Sequence, residues 1–154
     1  MNILSYVLIA SIPFMLSKEE RTFNKINKQY QLNAKKGYDM SKKMLEKDNL
    51  LASPYFFKSR YFMEYSKTRK TIESRSNFLS ASVLSALHFE VKAGESIKTL
   101  ADFDEHKRIL SSEVKDCIDE LIKYRKKSHF KKLTERIHRL DPSIHFESYE
   151  SICD

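Results

Sequence analysis

Two spacings in this sequence are of the kind that hold a metal or move a proton from a helix surface. Glu135-Arg-Ile-His138 sets a carboxylate and an imidazole at i and i+3, on one helical face. Helical dimetal sites need two such pairs and further inward carboxylates. Here one pair exists, in the most basic stretch of the chain, where a cation is repelled. Asp102 and His106 stand at i and i+4, with Glu105 beside them and Glu113 on the same helix. That face offers either a divalent-cation site or an ordinary hydrogen-bonded histidine. Cys117 and Cys153 have no metal-site spacing, and Cys117 falls on an apolar stripe, where a cysteine acts as a small hydrophobe. No Gly-x-Ser-x-Gly elbow or Cys/His nucleophile pattern appears, and two glycines in all leave no material for a phosphate-cradling loop. The expectation is therefore no catalytic residue, no metal and no cofactor.

Anion binding is the chemistry the sequence supports better. Residues 123–139 carry eight Lys/Arg against one acidic residue. On a helix, Phe130, Leu133, Ile137 and Leu140 form one face, while Lys126, Lys127, Lys131, Lys132, Arg136 and Arg139 occupy the others. Such a helix lays its apolar side on a body and offers cations to phosphates, or lies in a lipid headgroup layer. Alternatively it is a solvated face of a bundle. These six cations are the candidate anionic-partner site. A second candidate is the aromatic run Tyr55, Phe56, Phe57, Tyr61, Phe62 and Tyr65, interleaved with Lys58 and Arg60. Aromatics with cations suit stacked bases along a single strand. They also suit a membrane interface. Yet Phe57, Tyr61 and Tyr65 at i, i+4 and i+8 trace a core stripe, which is the leading expectation for them.

The elements that would hold these groups are helices. The 154 residues suffice for one domain with a real core. A 41% hydrophobic share excludes wholesale disorder. Only 2 Gly and 3 Pro leave few residues for the tight turns of β folds. The +7 net charge is a mosaic: residues 18–70 net +8, 71–122 net −4, 123–139 net +7 and 140–154 net −4. Basic blocks suit anionic partners, or offset the acidic blocks within the fold or a dimer.

Capping signals and apolar periods give the boundaries. Ser17 to Glu20 resembles a capping box, and Lys35-Lys36-Gly37 a helix end, which predicts a helix over 18–36 with Gly37 just past it. Further helices are expected at 40–51, at 54–73 opened by Ser53-Pro54, and at 77–92, where small residues imply a central, closely packed position. The longest, 100–126, opens at Thr99 and carries Leu100, Phe103, Leu110, Val114, Cys117, Leu121 and Tyr124 in the 3/4 alternation of a bundle or coiled-coil seam. The stripe then changes phase, so a turn near Ser128 should precede the last helix, which Asp141-Pro142 ends.

Residues 3–16 carry no charge, and Ile3, Leu4, Val7, Leu8, Ile9 and Ile12 are their candidate membrane-anchor residues. As a helix the segment covers about 21 Å, short of a bilayer core of about 30 Å, and Pro13 interrupts it. It lacks the basic n-region and small-x-small site of a cleaved signal. Six lysines and arginines follow within twenty residues and none precedes, which as an anchor would leave the body cytoplasmic. Anchor, core helix of a soluble cytoplasmic bundle and cleaved signal all stay open, in that order.

The expected fold is thus an all-α bundle of about six or seven helices: an apolar segment 1–16, in a membrane or in the core, a bundle over 17–140 and a tail over 141–154. The expected function is a small, basic, membrane-associated interaction or regulatory protein that binds a protein partner or an anionic surface. The alternatives are a soluble nucleic-acid binder and a secreted or periplasmic effector. A homo-oligomer is compatible with the 3/4 seam.

Overall fold

The computed structural model describes residues 18–96, 103–124 and 127–140. They form six α-helices: α1 Lys18–Leu32, α2 Ala34–Lys47, α3 Ser53–Ser66, α4 Ile72–Ser96, α5 Phe103–Tyr124 and α6 Lys127–Leu140. No strand occurs among the described residues. The all-helical bundle expected from composition is what the chain forms. The apolar segment 3–16, with its anchor candidates Ile3, Leu4, Val7, Leu8, Ile9 and Ile12, lies outside the described residues, as does the tail 141–154. Among the described residues no helix is long and apolar enough to cross a membrane.

Helix α4 sits at the centre, packed against α3, α5 and α6, while α1 and α2 close over α3. Side-chain pairs fix α3 antiparallel to α4: Tyr55 meets His88, Phe56 meets Phe89 and Phe62 meets Phe78. Between them Ser59 Oγ donates to the Ser82 carbonyl at 2.8 Å, and Ser82 Oγ donates to the Ser59 carbonyl at 2.8 Å. Both serines are buried. Short side chains let the two backbones approach, and the reciprocal bonds satisfy hydroxyls that burial would otherwise penalise. One apolar cluster joins Leu79, Val83 and Leu87 of α4 to Cys117, Ile118 and Leu121 of α5 and Leu133 of α6. The 3/4 stripe of α5 is therefore used inside the chain. A second cluster gathers Ile26, Phe56, Phe57, Phe89 and Leu110.

Helix ends differ from the sequence expectation at one instructive place. The predicted 18–36 helix is two helices, broken at Asn33. Its Oδ1 accepts from the Lys35 and Lys36 amides at 2.9 and 3.3 Å and caps α2. Its own amide closes the last turn of α1 on the Gln29 carbonyl at 3.0 Å. Gly37 is not a helix end but lies buried inside α2. A Cβ built there would fall 2.6 Å from Tyr30 Cβ. Glycine is needed at this point because α1 and α2 touch backbone to side chain, not because the chain turns.

The start of α3 shows a related substitution of partners. Ser53-Pro54 opens the helix as expected, but no local side chain caps it. Instead the buried Glu19 carboxylate of α1 accepts from the Ala52 amide at 2.7 Å, the Ser53 amide at 3.0 Å and Ser53 Oγ at 2.6 Å. The remaining boundaries shift: α3 stops at Ser66 instead of 73, and α4 extends to 72–96, started by Thr71 Oγ1 accepting from the Ser74 amide at 3.1 Å. Ser128, near which a turn was expected, lies inside the first turn of α6, which begins at Lys127.

Candidate anion-binding cleft

The two basic candidates of the sequence meet on one face of the bundle. Leu133, buried with 2% exposure, fastens α6 to α4. Arg136 and Arg139, three residues apart on α6, are thereby brought to the edge of an open cleft of about 450 Å³. Its other walls are Tyr55, Lys58 and Phe62 from α3 and Ala81, Leu84, Ser85 and His88 from α4. Lys58 and His88 are partly buried along the walls, and Arg136 and Arg139 are exposed at the rim. Among the described residues no carboxylate lines this cleft.

Its electrostatics follow from that one-sided lining. Burial, and then the charge of Lys42, hold the Lys58 ammonium below its ordinary pKa. Burial, and then Lys58, Lys92 and Arg136, lower the His88 imidazole. Both shifts have the sign expected of partly buried basic groups with further cations nearby. Tyr55 is stacked on His88 at 4.7 Å between ring centres, and Lys58 Nζ lies 5.5 Å from the Tyr55 ring centre. The tyrosine ring thus contacts both the His88 imidazole and the Lys58 ammonium.

Not every predicted site residue comes to this place. Lys131 and Lys132 are exposed on α6 and do not line the cleft. Lys126 and the side chain of Lys127 lie outside what the structure describes. Most of the aromatic run is engaged within the protein. Tyr61 stacks on Tyr38 at 4.3 Å and on Tyr65 at 5.6 Å, and Arg69 lies 4.2 Å over Tyr65. Phe57 is buried in the core as the stripe predicts, with 1% exposure. Tyr61 and Tyr65 instead form a half-buried ladder.

Of the residues in the two metal-like spacings, Asp102 lies outside the described residues. Among the described residues no group of three His, Cys, Asp or Glu side chains is placed to hold a metal ion. His106 stacks on Phe23 at 4.3 Å and meets the edge of Phe56. Glu113 faces Arg60, whose Nε lies 3.2 Å from its Oε1. Burial nevertheless holds the Glu113 carboxyl above its usual value. Glu135 is exposed and His138 half-buried on α6. Cys117 is buried, and burial raises its thiol to about 11.

His88 is the functional candidate that sequence reasoning missed. It follows a stretch of small and apolar residues, Phe78 to Leu87, and its neighbours Tyr55 and Arg136 are 33 and 48 positions away. The i, i+3 pair Arg136 and Arg139 was the only local signal. Comparison with known proteins finds no family model, no curated protein and no solved structure that matches this chain.

Proposed function

We propose that this is a small, basic helical interaction protein that binds an anionic partner in the cleft between α3, α4 and α6. One observation carries the reading: four basic side chains, drawn from three helices, line a single concavity in which no described residue contributes a carboxylate. A bundle that only needed a solvated surface has no reason to crowd Lys58 and His88, partly buried, against two arginines. An anion of the partner supplies the missing counter-charge. The uncharged stretch 3–16 supports a location at a membrane, where anionic headgroups provide such a partner.

The test is co-sedimentation of the full-length chain with neutral and with phosphatidylserine-containing vesicles, beside binding to a labelled single-stranded oligonucleotide. Arg136→Ala/Arg139→Ala is the variant. A basic residue near an anionic surface contributes about 1 kcal/mol. Losing two should weaken binding by about 2 kcal/mol, or about thirtyfold. Equal sedimentation of wild type and variant with anionic vesicles would remove the cleft from the reading. Binding to the oligonucleotide alone, steeply salt-dependent and lost in the variant, would transfer the cleft to nucleic-acid backbones.

A further inference from the structure

The shape and lining of the cleft narrow the kind of anion it takes. Three permanent cations and one titratable imidazole converge on one concavity of about 450 Å³. That volume lies within the range of small-molecule sites. We propose that the cleft is a phosphomonoester site: Lys58, Arg136 and Arg139 neutralise a dianionic phosphate, His88 donates a hydrogen bond to it, and Phe62 and Leu84 support a compact organic group. The proposal rests on the reading of this cleft as the anion-binding site.

Three observations favour a monoester over the phosphodiester of a nucleic acid. A monoester concentrates about 1.5 to 2 negative charges at one terminal group, which suits cations that converge, whereas a diester carries one charge per phosphate along a chain. The lining is a single open concavity shared by α3, α4 and α6. The aromatic rings that would stack bases are already engaged: Tyr61 stacks with Tyr38 and with Tyr65, Tyr55 stacks with His88, and Lys58 lies over the Tyr55 ring.

His88 adds a proton link. It is faced by Tyr55 and Lys58 from α3 and by Arg136 and Arg139 from α6, with Lys92 on its own helix. Glu90, two residues on, lines instead the groove that α4 forms with Leu110 and Val114 of α5. In the empty cleft burial and these cations favour neutral imidazole. A bound dianion supplies the counter-charge that favours imidazolium, so binding takes up a proton. Affinity should rise as pH falls from about 8 towards about 6, near the second pKa of a phosphomonoester, and fall again as the phosphate itself protonates.

Titration calorimetry of the full-length chain tests this with phenyl phosphate and diphenyl phosphate, each in two buffers of different ionisation enthalpy. The expected result is at least tenfold preference for the monoester, net proton uptake, and loss of both in His88→Gln while the fold, by circular dichroism, is kept. Arg136→Ala/Arg139→Ala should weaken phenyl phosphate tenfold or more. Vesicles carrying phosphatidylinositol 4-phosphate, against phosphatidylserine vesicles of equal charge, separate the two sources of the ligand. Preferential sedimentation with the former points to a lipid headgroup, and its absence beside tight phenyl phosphate binding points to a free organic phosphate. Equal binding of the two esters, or proton uptake unchanged in His88→Gln, overturns the monoester assignment. If the double arginine variant still loses anionic vesicles in that case, the broader anion-binding reading stands; if it loses nothing, both fall.

Discussion

Replacing Glu19 by alanine should be among the most damaging single substitutions in α1, although glutamate is ordinarily a surface residue. Its carboxylate is the N-terminal cap of a different helix, accepting from the Ala52 and Ser53 amides and from Ser53 Oγ. Ala52 and Ser53 are 1% and 0% exposed, so water does not simply replace the lost acceptor. A buried donor left without a partner costs about 1–3 kcal/mol, and Glu19→Ala orphans two amides. With partial relaxation the expected loss is about 3 kcal/mol. For a chain of this size that lowers Tm by about 6–12 °C. Glu19→Gln keeps one acceptor oxygen and should cost about half as much. Ser53→Ala removes only the hydroxyl contact and should cost about 1 kcal/mol. Urea unfolding followed by helical circular dichroism measures all three. Amide exchange at residues 52 and 53 should accelerate in Glu19→Ala more than exchange in the middle of α4. A loss below about 1 kcal/mol for Glu19→Ala, or exchange at these amides no faster than in wild type, would refute the cross-helix cap.

Gly37→Ala places a Cβ 2.6 Å from Tyr30 Cβ and 2.8 Å from its Cα. The α1–α2 contact must open, and the expected destabilisation of about 1–3 kcal/mol outweighs the helix-propensity gain of alanine; a Tm at or above wild type would show that the helices are not so close. The Cys117 thiol, buried and raised to about 11, should resist a disulfide reagent in a Cys153→Ser background until the protein is unfolded. Labelling at the rate of a free thiol without denaturant would contradict its place in the core. Burial holds the Glu113 carboxyl above its usual value, against the opposing pull of Arg60. A group whose folded pKa is raised contributes stability that is full below the unfolded pKa and lost as pH rises through the folded one. Wild type should therefore lose stability relative to Glu113→Gln between about pH 4.5 and neutrality, by denaturant melts. A difference that does not change with pH, or that grows in favour of wild type, would argue against a buried carboxylate.

The sequence alone determined the helical class, the positions of most helices and the apolar faces that build the core. These are local properties: scarce glycine and proline, the 3/4 recurrence along α5 and the phase change before α6 depend on neighbours one turn away. Leu110, Cys117, Leu121 and Leu133 are buried where that recurrence places them. The same locality explains the error at Gly37. Two lysines followed by glycine describe a helix end, and nothing nearby in sequence reveals that Tyr30 of the preceding helix needs the missing Cβ. Glu19 likewise reads as a first-turn acid of its own helix, while its carboxylate serves amides more than thirty positions on.

The candidate site divides along the same line. Arg136 and Arg139 were visible as cations on an amphipathic helix, and Tyr55, Lys58 and Phe62 as an aromatic and basic run. Which of these cations share a concavity was decided by how Leu133 seats α6 on α4, which draws Arg136 and Arg139 to the cleft and leaves Lys131 and Lys132 outside its lining. Whether the tyrosines present open faces was decided by packing, because Tyr61 stacks on Tyr38 of α2 and on Tyr65 of its own helix. His88 owes its burial and its neighbours Lys58 and Arg136 to contacts that span the chain, with Lys92 alone coming from its own helix. Composition and period fix what each helix is; convergence of charge is a property of distances between helices, and those exist only once the core has closed.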